Sequence, residues 1–205
     1  MGRDERPAGG QDGDLTRQVG RLRGYLSHNQ VIAEILQKAP SLAMANWYLG
    51  AGCIAQTVWN FLHGFEPTFG IKDYDLVYHY ASDLSLEAQT RYQERANEFF
   101  AHLHATVEIQ NEARVHLWYA EHFGYEIAPY ESVEAAINTW PTTATCVGVR
   151  TTSAGGLHVC APFGLTDLFN MIVRPNKMQI TKELYEAKTE RWTRLWPKLQ
   201  RLPWD

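Results

Sequence analysis

The sequence predicts an α+β fold in which short strands interleave with helices around one core. Apolar residues recur at helical spacing in three places, as Val31, Ile32, Ile35 and Leu36, as Ile54, Ala55, Val58, Trp59 and Leu62, and as Ala88, Tyr92, Ala96, Phe99 and Leu103. Between and after them stand short stretches with strand character, over 47–49, 71–80 and 105–111. At 205 residues the chain is long enough to bury one sizeable core.

Each element follows in order. Residues 1–14 are rich in Gly, Asp and Arg and hold no apolar stretch, so they read as neither a secretory signal nor an anchor. A disordered tail is therefore expected over 1–20, and one domain with a C-terminal helical part over 21–205. Gly2 does not complete a myristoylation signal, because Arg6 stands where Ser or Thr is needed. Ser27 with Gln30 has the spacing of a capping box, opening a helix that runs to about Lys38 and stops before Pro40. Trp47-Tyr48-Leu49 is a short strand entering a glycine turn, and the helix after the turn ends at Gly64, a suitable C′ residue.

After a loop at Pro67 comes the strand over 71–80, and Ser85 is the N-cap of the long helix that follows. Ala105, Val107 and Ile109 alternate with Thr106, Glu108 and Gln110, the period of a half-buried strand with Glu108 on its polar side. A short helix is expected over 132–138, then a hairpin of 143–149 with 157–160 around Ser153-Ala154-Gly155-Gly156. Helices over 165–173 and 179–195, separated by Pro175 and ended by Pro197, complete the chain.

A net charge of −4 and a pI near 6.1 give no global attraction to nucleic acid or to a membrane surface. Cys53, Cys146 and Cys160 are an odd number without C-x-x-C spacing, which argues against a disulfide framework or a zinc knuckle and suits a reducing cytoplasm. No apolar run approaches the roughly 20 residues that span a bilayer.

Two stretches carry chemistry. Leu49-Gly50-Ala51-Gly52 reads as a strand end, a turn and a helix N-terminus, a shape that presents backbone N–H groups to a phosphate. Ile71-Lys72-Asp73-Tyr74-Asp75-Leu76 reads as a strand with two carboxylates. Residues two apart on a strand share a face and stand roughly 6.5 Å apart along it, so Asp73 and Asp75 can share a hard cation such as Mg²⁺, or Mn²⁺. Nucleotidyl transfer needs donors around a triphosphate and carboxylates that hold divalent ions across the attacking and leaving oxygens. Asp73, Asp75 and Glu108 form the candidate metal and catalytic set; Gly50, Ala51, Gly52, Lys72 and Arg114 form the candidate nucleotide-binding set.

Gly50-Ala51-Gly52, a helix, Asp73-Tyr74-Asp75 and a later strand carboxylate together resemble the polymerase-beta-like nucleotidyltransferase superfamily. With Gln56-Thr57-Val58-Trp59-Asn60, Asn111-Glu112-Ala113-Arg114-Val115-His116-Leu117-Trp118-Tyr119 and Ala161-Pro162-Phe163-Gly164-Leu165, the chain is similar to a small bacterial and fungal family of nucleotidyltransferase family proteins, formerly a domain of unknown function. The resemblance covers about Ser27 to Trp204. It implies a mixed sheet flanked by helices, a Mg²⁺-dependent site on the aspartate strand, and transfer of a nucleoside monophosphate from an NTP. The acceptor, whether small molecule, RNA or protein, is left open. The superfamily's turn is commonly Gly-Ser or Gly-Gly; Ala51 here offers no hydroxyl, only backbone donors.

Simpler readings compete at each position. Asp73 and Asp75 can be two solvated acids, although Asp is depleted in strands and like charges on one face repel. The glycines alone suit any αβ turn. Lys72 equally caps a strand edge, Arg114 equally holds Glu108, and Arg174 with Lys177 reads first as a solvated helix end. His102 and His104 with Glu108 lack a fixed zinc geometry, and Glu112 with His116 lacks a third partner. Trp59, Trp118 and Tyr119 can stack on a base or fill the core, with core favoured for Trp59. Cys53, at a helix N-terminus, has no His and carboxylate placed beside it. A non-catalytic nucleotide-sensing or partner-binding module on the same fold is the alternative to an enzyme.

Overall fold

The computed structural model describes residues 9–205, and its first helix, α1, spans Gly9–Leu26. Val19, Leu22 and Leu26 continue a helical spacing, and Leu22 and Leu26 are buried in the core. The tail boundary expected at residue 20 thus falls inside a helix, while residues 1–8 lie outside the described residues. Ser27 closes α1 by donating to the Gly24 carbonyl at 2.8 Å. The N-cap of α2 (Gln30–Lys38) is Asn29, whose side-chain oxygen accepts from Val31 N and Ile32 N, and not Ser27. Asn and Ser cap equally well, and the fully buried Asn29 amide also has a donor to satisfy, which it gives to Thr57 Oγ1 at 2.9 Å.

β1 (Tyr48–Gly50) leads into α3 (Gly52–His63), which ends as expected at Gly64 in the left-handed conformation. β2 (Asp73–Tyr78) is shorter than the predicted strand at both ends. Ser85 caps α4 (Leu86–Phe100) by accepting from Ala88 N at 3.2 Å. Phe100 fills the core where Phe99 was expected, and Phe99 is exposed, because Phe100 continues the four-residue row of Ala88, Tyr92 and Ala96 to the end of α4. β3 (Thr106–Asn111) then runs directly into a 3₁₀ turn at Glu112–Leu117 and the short α5 (Tyr119–Phe123). α6 (Val133–Ile137) is capped by Ser132, within the predicted 132–138.

The hairpin forms from β4 (Gly148–Thr151) and β5 (Leu157–Cys160); the residues expected to extend it upstream turn instead, with Thr145 N and Cys146 N both donating to Thr142 O. The helix expected over 165–173 is only α7 (Thr166–Phe169). Met171 takes φ +56°, and Ile172–Val173 becomes β6, paired in parallel with β7 (Gln200–Arg201) across α8 (Lys182–Leu195).

The main sheet has the order β3-β2-β1-β4-β5, with β2 and β3 parallel and every other pair antiparallel, the expected mixed sheet flanked by helices. Alternation sends Tyr74, Leu76, Val107 and Ile109 into the main core and Val77, with Tyr48, to the opposite face, where α6 supplies Val133 and Ile137. The free edge of β3 is closed by side chains: Gln93 donates to Val107 O and accepts from Ile109 N, both at 2.8 Å, and Gln89 accepts from Asn111 N at 3.0 Å. Two glutamines one helical turn apart on α4 thereby stand in for a strand.

Trp59 is core, as favoured, and packs between Trp192 and Trp196, whose indole Nε1 donates to the buried Asn60 Oδ1 at 2.6 Å. Trp196→Phe leaves a void and an unpaired buried acceptor. We expect it to cost about 3 kcal/mol in urea unfolding, with no change in the midpoint's dependence on added nucleotide.

Candidate active site

The site is assembled by register. Across β1 and β2, Gly50 stands opposite Asp75; across β2 and β3, Asp75 stands opposite Glu108. Register partners share a face, with Cβ atoms roughly 5 Å apart, and Asp73 joins that face two residues upstream. The three carboxylates therefore lie on one side of the sheet, beside the end of the glycine turn. Asp73 and Asp75 are half-buried, and Glu108 is exposed.

The turn is tight for definite reasons. A Cβ on Gly50 would lie 2.6 Å from the Trp140 ring and 2.9 Å from the Val147 carbonyl, so only glycine fits. Ala51 takes φ +57° and ψ −127°, a conformation costly for any residue with a Cβ. Its N–H donates to Val147 O at 3.0 Å and is thus committed to the fold. Gly52 and Cys53 open α3, where amides have no intrahelical acceptor. The Cys53 thiol is fully buried and donates to Gly50 O; burial, then Asp75 and Asp73, push its pKa well up, so it is no nucleophile.

Electrostatics set these carboxylates apart. Burial raises Asp75 to about 7, with Asp73 and Glu108 adding to the rise and Lys188 opposing it. Burial and Asp73 raise Glu108. Glu112, at the start of the 3₁₀ turn, is raised to about 8 by burial and then by Asp75. Asn111 fixes that turn, accepting from Ala113 N and Tyr80 N and donating to Tyr80 O.

Asp75, Glu108, Glu112 and Lys188 line one cleft of about 320 Å³, whose wall also includes Trp118, Tyr119, Tyr130 and Trp140 among aliphatic and polar residues. Crowding by protein lowers the Lys188 pKa, and Asp75 and Asp73 counteract it. Among the described residues no group of three or more His, Cys, Asp or Glu is already drawn together tightly enough to hold a metal ion. The donor set is nonetheless all carboxylate, the chemistry that suits Mg²⁺ or Mn²⁺.

The family-model comparison matches residues 37–201 to a family described as nucleotidyltransferase. The chain belongs to the nucleotidyltransferase family. A solved structure described as revealing a CCA-adding enzyme head domain matches with a TM-score of 0.72 and 23% identity, over 92% of this chain and 95% of that one. The likeness establishes the polymerase-beta-like fold. No curated protein matches the sequence.

Within this nucleotidyltransferase fold the other expected residues are dispersed. Lys72 stands exposed at the entry to β2, beside the aspartates. Arg114 is buried, its Nε donating to Leu84 O at 2.8 Å and its Nη1 to Gln89 Oε1 at 3.2 Å; it ties the 3₁₀ turn to α4 and is not brought to Glu108 or to the glycine turn. Arg114→Ala should accordingly lower stability by about 2 kcal/mol in chemical denaturation and leave nucleotide affinity nearly unchanged. Arg174 pairs with Asp167, away from the cleft.

Two cleft residues escaped the sequence reading. Glu112 continues the alternation Glu108, Gln110, Glu112, a signal that was present but was read only against His116. Lys188 lies on an ordinary charged helix, and only the packing of α8 brings it to Asp75.

Proposed function

We propose that this nucleotidyltransferase moves a nucleoside monophosphate from an NTP to an acceptor hydroxyl, with Asp73, Asp75 and Glu108 holding Mg²⁺ or Mn²⁺. The observation that supports this reading above all is the register that sets Gly50, Asp75 and Glu108 side by side on one face. The bound ion would neutralise phosphate charge and favour ionisation of the acceptor hydroxyl.

The chain's own groups supply the rest. The turn at Gly50, Ala51 and Gly52 shapes the pocket, the Ala51 N–H being held by Val147 O. The amides of Gly52 and Cys53, which open α3 and have no intrahelical acceptor, receive the triphosphate, with Lys72 at its flank. Glu108, exposed and raised in pKa, takes the acceptor's proton. One bond forms between the acceptor oxygen and the α-phosphorus, and the α–β phosphoanhydride breaks, releasing pyrophosphate. Lys188 limits the negative charge that accumulates across the cleft.

The test is incubation with each labelled NTP, Mg²⁺ and a cell extract, followed by identification of the labelled product by mass. Transfer of label that depends on the protein and on divalent metal is expected. Tight NTP binding without any product, after long incubation with extract, would replace this reading with the nucleotide-sensing alternative. The described residues contain no helix long and apolar enough to cross a membrane.

A further inference from the structure

The aromatic cleft begins at the carboxylates, and the Trp140 ring, packed against Gly50, forms part of its wall. Asp75 and Glu108 line it, whereas Gly50, Ala51 and Gly52 do not. In an in-line displacement the acceptor approaches from the side opposite the departing pyrophosphate. If the triphosphate occupies the turn, the cleft, which shares Asp75 and Glu108 with the metal set but is not lined by the glycines, is the space left for the acceptor.

Its wall has a distinctive division of labour. The tyrosine hydroxyls are held by one another, by the Gln179 carbonyl and by the Thr139 and Gln179 side chains. Tyr119 meets Tyr125 at 3.1 Å, Tyr125 donates to Gln179 O, and Tyr130 meets Thr139 Oγ1 at 3.0 Å and Gln179 Oε1 at 2.8 Å. What they offer the cleft is ring surface, shared with half-buried Trp118 and Trp140. Glu112 is the exception. It is only 5% exposed, lines the cleft, and has no hydrogen-bond or ion-pair partner among the described residues.

A buried carboxyl without a partner is costly unless a ligand satisfies it. Aromatic faces around an acid suit a cation, through ring quadrupoles and the charge itself. A volume of about 320 Å³ suits a small molecule.

Resting on the nucleotidyl-transfer reading for its direction, we propose that the cleft binds a small acceptor carrying a ring and an amino group, and that Glu112 is the specificity-determining residue that pairs with the amine. The hydroxyl to be modified then lies toward Glu108, at the open end.

Binding alone tests this, without NTP, so a failure of the transfer reading leaves a separate signature. The probes are matched ring compounds that differ in one terminal group, tyramine, tyrosol and 4-hydroxyphenylacetate, with the corresponding indole series. They are titrated against the full chain and binding is followed by isothermal titration calorimetry. The amine should bind at least tenfold more tightly than its alcohol in at least one series. Glu112→Gln should erase that preference, and Trp118→Leu should weaken all members alike. Equal affinity for amine, alcohol and acid in both series, or an amine preference that survives Glu112→Gln in a folded variant, would overturn the proposal. Displacement of bound amine by an NTP without metal would assign the cleft to the donor's base instead.

Discussion

Asp75→Asn is expected to abolish nucleotide transfer while raising the melting temperature of the metal-free protein. The two effects have one cause. Asp75 lies between Asp73 on its own strand and Glu108 on the next, half-buried, and its pKa is raised to about 7 by burial and by those two acids. At pH 8 its charge is therefore an electrostatic burden on the fold, and the isosteric amide removes it with little change of shape. About 2 kcal/mol of stabilisation, or roughly 4–8 °C in Tm, is the expected scale at pH 8. The same charge is what a divalent ion and a phosphoryl group would need, so its loss should reduce the transfer rate at least about 1,000-fold, or roughly 4 kcal/mol of barrier. Tm by circular dichroism and product formation from labelled NTP check the two arms. A variant that melted lower and retained activity would mean that Asp75 serves the fold alone.

Much of this was legible in local sequence because its causes are local. Gly64 and Ser85 end and begin helices through backbone geometry that a few residues determine, and the alternation around Glu108 sets its face before any partner is known. That Glu108 falls opposite Asp75 required the register of a parallel pair, which only the packing of α4 across the sheet decides. Asn29 displaced Ser27 as a cap because its buried amide had also to meet Thr57, a partner 28 residues away. The helix over 165–173 was lost to β6 because Ile172 and Val173 could pair with Gln200 and Arg201. Arg114 looked equally suited to a substrate, and its commitment to Leu84 O and Gln89 is a property of the tertiary fold. The aromatic cleft was least legible of all: its rings come from Trp118 to Phe123, Tyr130 and Trp140, separated segments that only the tertiary fold brings around one space.

The metal-free protein should lose stability as the pH rises from about 4.5 to 8.5, the reverse of the usual behaviour of carboxylates. Asp75 and Glu112 have folded pKa values of about 7 and 8, against ordinary values of 3.8 and 4.5, and Glu108 is raised as well. Across that window the folded chain holds more protons than the unfolded chain, so unfolding releases them and is favoured by rising pH. Below it the sign changes. Asp167, lowered overall by Arg174 and Thr143 despite its partial burial, contributes stability that disappears as the pH falls through its folded pKa. Stability should therefore peak near pH 4.5–5 in the presence of a chelator. Added Mg²⁺ or Mn²⁺ competes with those protons for the same oxygens, so the Tm gain from metal should grow with pH and be largest at pH 8 to 8.5. Asp75→Asn should reduce the slope of the chelated profile from about pH 4 to 7 and remove most of the metal response; Glu112→Gln should reduce it from about pH 4.5 to 8 and leave that response in place. A Tm that climbed steadily from pH 5 to 8 in chelator, unmoved by either substitution, would show that these acids carry no buried charge for a cation to relieve.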